Sequence, residues 1–384
     1  MMVVESCPLC KSLNLSMFLE RSAVPVHQNL LMKSRQQARS VVRGDLEMVS
    51  CSDCGFVFNA AFDPELLSYG ESYDNNQGFS SSFQHHLDDL ISMLINEKGV
   101  SSKRIVEVGC GQGQFLQRLV NEGDNRGVGF DPSYTGPAEL QDGAIRFESR
   151  YYDESCTDVA ADVVICRHVI EHVPDPVALL KSIRAAIGSQ SSAKVYFETP
   201  CVDWILRNEV VWDFFYEHCS LFTKNSLSTA FQLAGFRVDE VKHVFGDQYL
   251  WLEATAVASD VVFDSDEIPA LVKQYAGTEQ QLSQNWKQRI ASLTVDGGVA
   301  LWGAGAKGST FASLIDPECE LINCLVDLNP NKQGKFVAGS GHEIIDPASL
   351  GERGVRNVVL MNPNYRQENE MILNNAGLAV NLIE

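Results

Sequence analysis

The sequence lacks long apolar runs and has few positive charges. No stretch approaches the roughly 18 consecutive apolar residues of a membrane-spanning helix. The segment Met1–Glu5 has no basic region ahead of an apolar one, so we expect neither a membrane protein nor a signal peptide. Lys and Arg number 30 against 50 Asp and Glu, a net charge of −20. Such a chain repels nucleic acid, although a local basic pocket for one phosphorylated ligand stays open.

The sequence also lacks the features of low-complexity and disulfide-rich chains. Its 28 Gly and 13 Pro are an ordinary share of 384 residues, and its 11 cysteines are spread along the whole length. An odd, scattered set of cysteines is typical of a cytoplasmic protein with reduced thiols, in which paired cysteines indicate a metal before a disulfide. The length predicts two to three domains.

The chain divides by content into three zones, which we expect to be three domains. Residues 1–75 hold two cysteine pairs and too little apolar periodicity for a self-sufficient core. Residues 76–260 alternate short apolar runs with amphipathic segments, and residues 261–384 repeat that alternation after one long helical pattern. Strands that alternate with helices predict a parallel sheet covered on both faces. The predicted fold class is α/β, with a small metal module followed by two Rossmann-like units.

The metal module contains two Cys-x-x-Cys pairs. Cys7 and Cys10 are separated by 40 residues from Cys51 and Cys54, and Gly55 suits a turn with positive φ after the second pair. Each pair presents two thiolates on one side of a tight loop, and Zn²⁺ prefers four such ligands. A redox pair would normally open a helix, which neither pair does. We expect structural zinc with no open position for catalysis.

A glycine-rich loop follows the first strand of the second zone and opens a helix. Gly109, Gly111 and Gly113 allow a ligand to approach the backbone closely. Glu107 precedes the loop, and Asp131 ends the next strand 18 residues after Gly113, where an acid accepts hydrogen bonds from ribose hydroxyls. This glycine spacing differs from that of dinucleotide sites and suits a nucleoside without a pyrophosphate.

The loop and its partner acid resemble motif I of class I S-adenosylmethionine-dependent methyltransferases. The segment from Ala161 to Pro176 is similar to the fourth-strand region of that superfamily. The resemblance implies S-adenosylmethionine as cofactor. The expected cofactor-binding residues are Glu107, Gly109, Gly111, Gly113, Phe115, Asp131, Pro132 and His168. A metal site at His168 and His172, four residues apart, lacks a third ligand nearby in sequence.

Aromatic residues surround a Glu-His pair in the segment Val211–Thr223. Aromatic walls exclude water, and a histidine in such surroundings becomes an effective general base. His218 is therefore the candidate base, and Glu217 is the acid beside it. The alternative is a packing segment with one hydrogen-bonded histidine.

A second glycine loop, Gly303–Gly308, matches the dinucleotide fingerprint Gly-x-Gly-x-x-Gly between a strand and a helix, with Asp327 19 residues further on. Lys307 in this loop suits a phosphate. These features support an alternative in which the third zone is the NAD-binding half of an oxidoreductase. A Rossmann-like domain used for packing or for holding substrate is the other interpretation.

The order of these elements resembles the sugar C-methyltransferase family across nearly the whole chain, and the run Asp327–Lys335 is similar to that family's C-terminal domain. Members methylate keto-deoxysugars carried on a nucleoside diphosphate, by removing a proton next to the ketone before the enolate attacks the sulfonium methyl. The resemblance implies that the C-terminal domain helps to hold substrate and does not bind NAD. It also implies that His218 is the base and Glu217 the preceding acid.

One position departs from the family pattern. The family's tyrosine three residues before the histidine is replaced by Phe215, and Tyr216 follows as the candidate third catalytic residue. Tyr73 and Lys307 are the candidate substrate-binding residues. An O- or N-methyltransferase that uses His218 as base on another small metabolite remains an alternative. We expect a small-molecule substrate and neither nucleic acid nor membrane as partner, and the oligomeric state stays open, a monomer included.

Overall fold

A computed structural model describes residues 5–67, 74, 77–188 and 192–384. The N-terminal part consists of β1 (Leu15–Pro25), β2 (Leu31–Met32), α1 (Arg35–Arg39), β3 (Arg43–Cys51) and β4 (Val57–Asn59). Strands β1 and β3 form a long antiparallel pair, with register shifts between Met17 and Leu19 and between Arg21 and Val24. These shifts break the two-residue alternation that identifies a strand in a sequence. The sequence analysis therefore missed this sheet.

The second part contains α2 (Ser81–Ser92), β5 (Arg104–Val108), α3 (Gln114–Gly123), β6 (Arg126–Phe130), β7 (Glu139–Leu140), β8 (Ile145–Glu148), β9 (Val163–Arg167), α4 (Pro176–Ile187), β10 (Lys194–Pro200), α5 (Val202–Arg207), β11 (Ser220–Leu221), α6 (Lys224–Leu233), β12 (Arg237–Val244) and β13 (Tyr249–Thr255). Eight strands form one sheet in the order β12-β13-β10-β9-β5-β6-β8-β7. The five strands from β10 to β8 are parallel, and β13 runs antiparallel to both neighbours. This sheet confirms the predicted Rossmann-like core. The chain order reverses between β5 and β9, where ligands bind at the carboxyl ends of such sheets.

The third part contains α7 (Ile268–Leu293), β14 (Gly298–Trp302), α8 (Ala306–Ile315), β15 (Cys324–Val326), β16 (Phe336–Val337), β17 (Ile344–Ile345), β18 (Val355–Leu360), α9 (Arg366–Asn375) and β19 (Asn381–Ile383). Five strands form a parallel sheet in the order β17-β15-β14-β18-β19. The second predicted Rossmann-like unit is therefore present. In the described ranges, no helix is long and apolar enough to cross a membrane.

Strand pairing between the parts holds them together. Strand β11 of the second part pairs with β4 of the N-terminal sheet, and β2 pairs with β16 of the third part. Trp212, ahead of β11, packs its ring against Phe311 of α8 with a centroid separation of 5.1 Å. The segment between α5 and β11 is thus fixed by both neighbouring parts. This segment contains His218.

Candidate functional site

The three glycines of the first loop have different roles in the structure. All have φ in the left-handed region, at 70° for Gly109, 54° for Gly111 and 77° for Gly113. A Cβ on Gly109 would lie 2.2 Å from Val169 Cγ2, and one on Gly113 would lie 2.3 Å from the Phe147 ring. A Cβ on Gly111 would meet nothing within 4 Å. Gly109 and Gly113 therefore permit tight packing, and Gly111 faces the open space that a bound nucleoside needs.

Two carboxylates flank the first glycine loop, Glu107 in the strand before it and Asp131 beside Gly111. Glu107 is buried, its Oε2 has no hydrogen-bond partner among the described residues, and burial raises its pKa to about 8. Asp131 Oδ2 accepts from the Gly111 backbone N–H at 2.8 Å, and its Oδ1 accepts from Ser133 N at 2.8 Å. An unpartnered buried carboxylate oxygen beside a partly exposed acid fits a ligand with amino and hydroxyl donors. S-adenosylmethionine has both.

The remaining predicted cofactor residues lie in different surroundings. Phe115 is buried, with the Arg167 guanidinium 4.4 Å from the centre of its ring. Pro132 is exposed beside Asp131. His168 directly follows β9 and has a φ of 54°. Its side chain lines a cavity at the carboxyl edge of the sheet.

A buried ion cluster that the sequence analysis missed surrounds Glu198 of β10. Its carboxylate lies 2.8 Å from Arg167 Nε, 2.5 Å from His86 Nε2 and 3.3 Å from His168 Nε2. Burial opposes ionisation, but Arg167 and the imidazoles hold the pKa of Glu198 well below its ordinary value. Burial also disfavours the charged form of His168, yet Glu171 and Glu198 outweigh it and raise its pKa to about 9. His168 is therefore a cation at neutral pH. The one signal in the sequence was a carboxylate inside an otherwise apolar strand.

A cavity of about 260 Å³ lies between the carboxyl edge of the second part's sheet and the second glycine loop. His168 lines it, and the next residue, Val169, lies against Gly109 of the first glycine loop. Its lining includes His168, His172, Phe215, His218, Tyr249 and Lys307.

His218 is the candidate base, and the structure places it in the cavity wall. Its ring is half-buried between Phe215, at a centroid distance of 4.1 Å, and His172, at 4.9 Å. Burial, together with His172, His168 and Lys307, holds the pKa of His218 well below its ordinary value. The imidazole is therefore neutral at neutral pH and able to accept a proton.

The structure supplies the third side chain that the sequence lacked for a metal site. Ligand atoms of Glu171, His172 and His218 lie within 4.8 Å of one another, a set able to hold a divalent cation. However, the His168 Nδ1 lies 3.3 Å from Glu171 Oε1, and the charged imidazole compensates the carboxylate. His172 Nδ1 donates to the Glu217 carbonyl oxygen at 2.9 Å. We interpret the set as a proton-handling cluster around His218.

The other two predicted catalytic residues face the N-terminal part. Glu217 borders the cavity, but its buried carboxylate accepts from the Gln28 backbone N–H at 2.9 Å. Tyr216 is fully buried outside the cavity lining, and its hydroxyl oxygen accepts from the Asp63 backbone N–H at 2.8 Å. Phe215 lines the cavity and Tyr216 does not, so this geometry does not support the predicted catalytic role of Tyr216. Glu217 anchors the N-terminal segment beside His218.

Of the two candidate substrate residues, the structure places one. Lys307 lines the cavity, with its Nζ 2.8 Å from Asp213 Oδ2 and 3.3 Å from Gln248 Oε1. Tyr73 lies outside the described residues. A second lysine, Lys332, which the sequence analysis did not single out, also lines the cavity.

The second glycine loop differs from the first in what lies above it. A Cβ on Gly305 would lie 3.7 Å from Asn29 Oδ1 and 4.0 Å from Lys332 Nζ. A Cβ on Gly308 would lie 1.9 Å from the Gly303 carbonyl oxygen, so this glycine serves close helix–strand packing. Asn29 and Lys332 thus lie beside the loop at Gly305, and the loop glycines line the cavity.

The four cysteines of the N-terminal part converge. Sγ atoms lie 3.7 Å apart for Cys7 and Cys54 and 3.5 Å apart for Cys10 and Cys51, and all four lie within 4.8 Å. A tetrahedral site with Zn–S bonds of about 2.3 Å has S···S edges of about 3.8 Å, whereas a disulfide bond is only about 2.05 Å long. The geometry fits a tetrahedral metal ion. Gly55 has the predicted positive φ, at 69°.

The thiolate cluster is connected directly to the His218 segment. Strand β4 begins at Val57, three residues after Cys54, and pairs with β11, which begins two residues after His218. The Asn59 backbone N–H donates to the Cys219 carbonyl oxygen at 2.9 Å. The cluster therefore fixes the strand on which the candidate base depends.

Comparison with known proteins agrees with this architecture. Residues 82–241 match the model of a methyltransferase domain, and residues 267–377 match that of a C-methyltransferase C-terminal domain. C-methyltransferase NovU of Streptomyces niveus is 23% identical over 95% of this chain and 91% of its own. The ubiquinone biosynthesis O-methyltransferase of Vibrio campbellii is 29% identical, over 30% of this chain and 52% of its own.

Among solved structures, the magnesium protoporphyrin IX methyltransferase of Synechocystis PCC 6803 covers 50% of this chain and 91% of its own at 16% identity. Its TM-score is 0.37. The two family models and the near full-length relative, in contrast, cover the core and the C-terminal domain together. They set aside the oxidoreductase alternative. The chain is a class I S-adenosylmethionine-dependent methyltransferase that resembles the C-methyltransferases over nearly its whole length.

Proposed function

We propose that this enzyme methylates a carbon atom next to a ketone, in a keto-deoxysugar carried on a nucleoside diphosphate or a related metabolite. The observation that carries the proposal is a histidine, His218, in the wall of a cavity that is also lined by His168, whose chain neighbour Val169 lies against Gly109 of the first glycine loop. A carbon-bound proton does not leave unaided, so a carbon nucleophile requires such a base. The C-methyltransferase relative aligned over 95% of this chain supports the choice of carbon over oxygen or nitrogen.

The residues of the cavity would carry out the proton chemistry. His218 accepts the proton from the carbon, and the electron pair of that bond moves towards the ketone oxygen. When bound, S-adenosylmethionine supplies an electrophilic methyl group, and the electron pair of the broken bond stays on its sulfur. The low pKa of His218, caused by burial and by the neighbouring His172, His168 and Lys307, then favours release of the proton to solvent.

Two lysines and a helix amino terminus in the cavity lining support a phosphorylated acceptor. Lys307 and Lys332 line the cavity beside Asp213 and Asp327, at 2.8 and 3.7 Å, and α8 begins at Ala306 in the same wall. A helix amino terminus and lysines favour phosphate oxygens. A bound phosphate would compete with these two carboxylates for the ammonium groups.

We also propose that Cys7, Cys10, Cys51 and Cys54 bind one Zn²⁺ ion. Four thiolates with spacings of 3.5 and 3.7 Å support this ion, whose preferred ligands are sulfur and nitrogen in a tetrahedron. All four positions are taken by protein ligands. The ion would therefore stabilise the fold and take no part in methyl transfer.

The proposed function is tested by proton exchange, which isolates the base from methyl transfer. The enzyme is incubated with a nucleoside diphosphate-linked keto-deoxysugar in D₂O without S-adenosylmethionine, and then with it. We expect deuterium at the carbon next to the ketone first, and a methyl group on that carbon afterwards, both by mass spectrometry and NMR. Methylation of oxygen or nitrogen without exchange would contradict the proposal. A deuterium exchange rate that is unchanged in EDTA would show that His218 acts as a base without a metal ion at Glu171, His172 and His218.

Asp131→Ala is expected to weaken binding of S-adenosylhomocysteine by about 1–3 kcal/mol, roughly 5- to 150-fold. The variant removes an acceptor for ribose hydroxyls and also the partner of the Gly111 N–H. Isothermal titration measures the affinity. Asp158→Ala, which removes an exposed carboxylate of the same core, is the control and should bind as the wild type does. Unchanged affinity in Asp131→Ala would show that the nucleoside binds elsewhere.

The pH dependence of exchange follows from the environment of His218. An ordinary histidine has a pKa of about 6.5. Because His218 is held below this value, the neutral form that accepts the proton persists as the pH falls through it. We expect the exchange rate to reach half its plateau at a pH below about 6.5. A midpoint clearly above that value would assign the base to another group.

A further inference from the structure

The cavity contains a phenol that neither the sequence analysis nor the family resemblance singled out. Tyr249 is the first residue of β13 and pairs with Pro200, the last residue of the parallel strand β10. An antiparallel strand begins where its parallel neighbour ends, so Tyr249 lies at the edge of the sheet where ligands bind. Its side chain lines the cavity and is only 8% exposed. Its hydroxyl makes no hydrogen bond within the part of the chain that the structure describes.

The ring of Tyr249 is fixed by its neighbours. Phe245 stacks on it with a centroid distance of 5.1 Å, and His168 meets it edge-on at 4.6 Å. His168 carries a positive charge, because Glu171 and Glu198 overcome its burial. The phenol therefore lies against an imidazolium in the cavity wall, and such surroundings favour negative charge on a nearby ligand oxygen.

Two other hydrogen-bond donors of the cavity, Tyr365 and Lys307, already have partners. The Tyr365 hydroxyl lies 3.3 Å from Gln77 Oε1, to which it donates. Lys307 Nζ donates to Asp213 Oδ2 at 2.8 Å. At Phe215, where the family has a tyrosine, the ring packs 4.1 Å from that of His218 and offers no hydroxyl. Tyr249 thus combines burial, a fixed ring and an unpartnered hydroxyl.

We propose that Tyr249 donates a hydrogen bond to the ketone oxygen of the acceptor and so takes the place of the phenol missing at Phe215. This inference rests on the proposed function. As His218 takes the proton, the carbon–hydrogen electron pair forms a carbon–carbon double bond and the carbonyl pair moves to oxygen. Tyr249 shares its hydrogen with that oxygen and keeps it, because burial raises the pKa of the phenol well above its ordinary value. No other reactant is required.

The test compares Tyr249→Phe with Tyr365→Phe, each of which removes one hydroxyl from the same cavity. With a nucleoside diphosphate-linked keto-deoxysugar as probe, we measure deuterium exchange, kcat and KM for methyl transfer, and affinity for S-adenosylhomocysteine. Loss of one preorganised donor to a developing oxyanion lowers kcat by about 10²-fold or more. We expect that loss in exchange and in kcat for Tyr249→Phe, with little change in KM and none in cofactor affinity. Tyr365→Phe should retain most of both rates.

The outcomes separate this inference from the proposed function. If the wild type exchanges and methylates the probe but the two variants lose rate equally or not at all, the role of Tyr249 is overturned and the proposed function stands. If the wild type neither exchanges nor methylates any keto-deoxysugar probe, both are overturned. A rise in KM with unchanged kcat would show that Tyr249 only contacts bound substrate, which also overturns a role in stabilising the oxyanion. Equal melting temperatures of the variants show that folding is not the cause.

Discussion

His218→Ala is expected to abolish deuterium exchange and to lower methyl transfer by about 10²- to 10⁴-fold, the range typical of a lost general base. The imidazole is the group in the cavity wall held neutral by burial and by the charges of its neighbours. Cofactor affinity should stay unchanged, because the carboxylates and glycines that border the cofactor space are not altered. Exchange by mass spectrometry, turnover and titration with S-adenosylhomocysteine give the three readouts.

Two further variants make that result specific. His85→Ala removes an exposed imidazole of the same chain and should leave all three readouts unchanged. His218→Asn keeps a polar side chain between Phe215 and His172 but cannot act as a base at neutral pH, so it should behave as His218→Ala does. Equal losses of turnover and cofactor affinity in both His218 variants would assign a structural role to the histidine.

Cys51→Ser is expected to remove the bound zinc and, with it, most of the turnover, although Cys51 lies outside the cavity. Structural zinc contributes about 10–16 kcal/mol of apparent binding free energy in small zinc-binding peptides, and a hydroxyl is a poor substitute for a thiolate. Cys51 ends β3, and β4 follows at once and pairs with β11 next to His218. Loosening of the thiolate cluster should therefore displace the base.

Metal analysis, thermal unfolding and deuterium exchange measured on the same preparation test this link. Cys319→Ser, a change at a half-buried cysteine outside the quartet, is the control and should keep zinc and activity. A wild-type protein that contains no zinc would contradict the metal site. A Cys51→Ser enzyme that loses zinc and keeps full exchange would contradict the coupling to His218 and leave the metal site intact.

Short-range sequence patterns predicted much of the cofactor region. The loop glycines, Glu107 and Asp131 lie within 25 residues of one another, and the strand–loop–helix unit that carries them is formed by short-range periodicity. The same holds for the two cysteine pairs and for the second glycine loop. Their mutual arrangement follows from the rule that parallel strands present their carboxyl ends at one edge of a sheet.

The residues in and around the cavity were harder to predict, because they come from distant parts of the chain. Glu198 meets His86 across 112 positions, and Glu217 meets Gln28 across 189. Tyr216 follows Phe215, the position where the family has its tyrosine. Because it lies one residue later, its side chain points towards Asp63. None of these three contacts leaves a periodic signal in the sequence.

The sequence by itself therefore determined the α/β class, the methyltransferase motif, the cysteine quartet and the histidine in the aromatic segment, since each depends on residues close together in the chain. Only the tertiary structure decided which side chains face the cavity. It directs Phe215 and His218 into the wall and Tyr216 away from it, and places Tyr249 beside His168. The reason is physical: the direction of a side chain in an irregular segment is set by the strands and helices packed against it. Here those elements belong to all three parts of the chain.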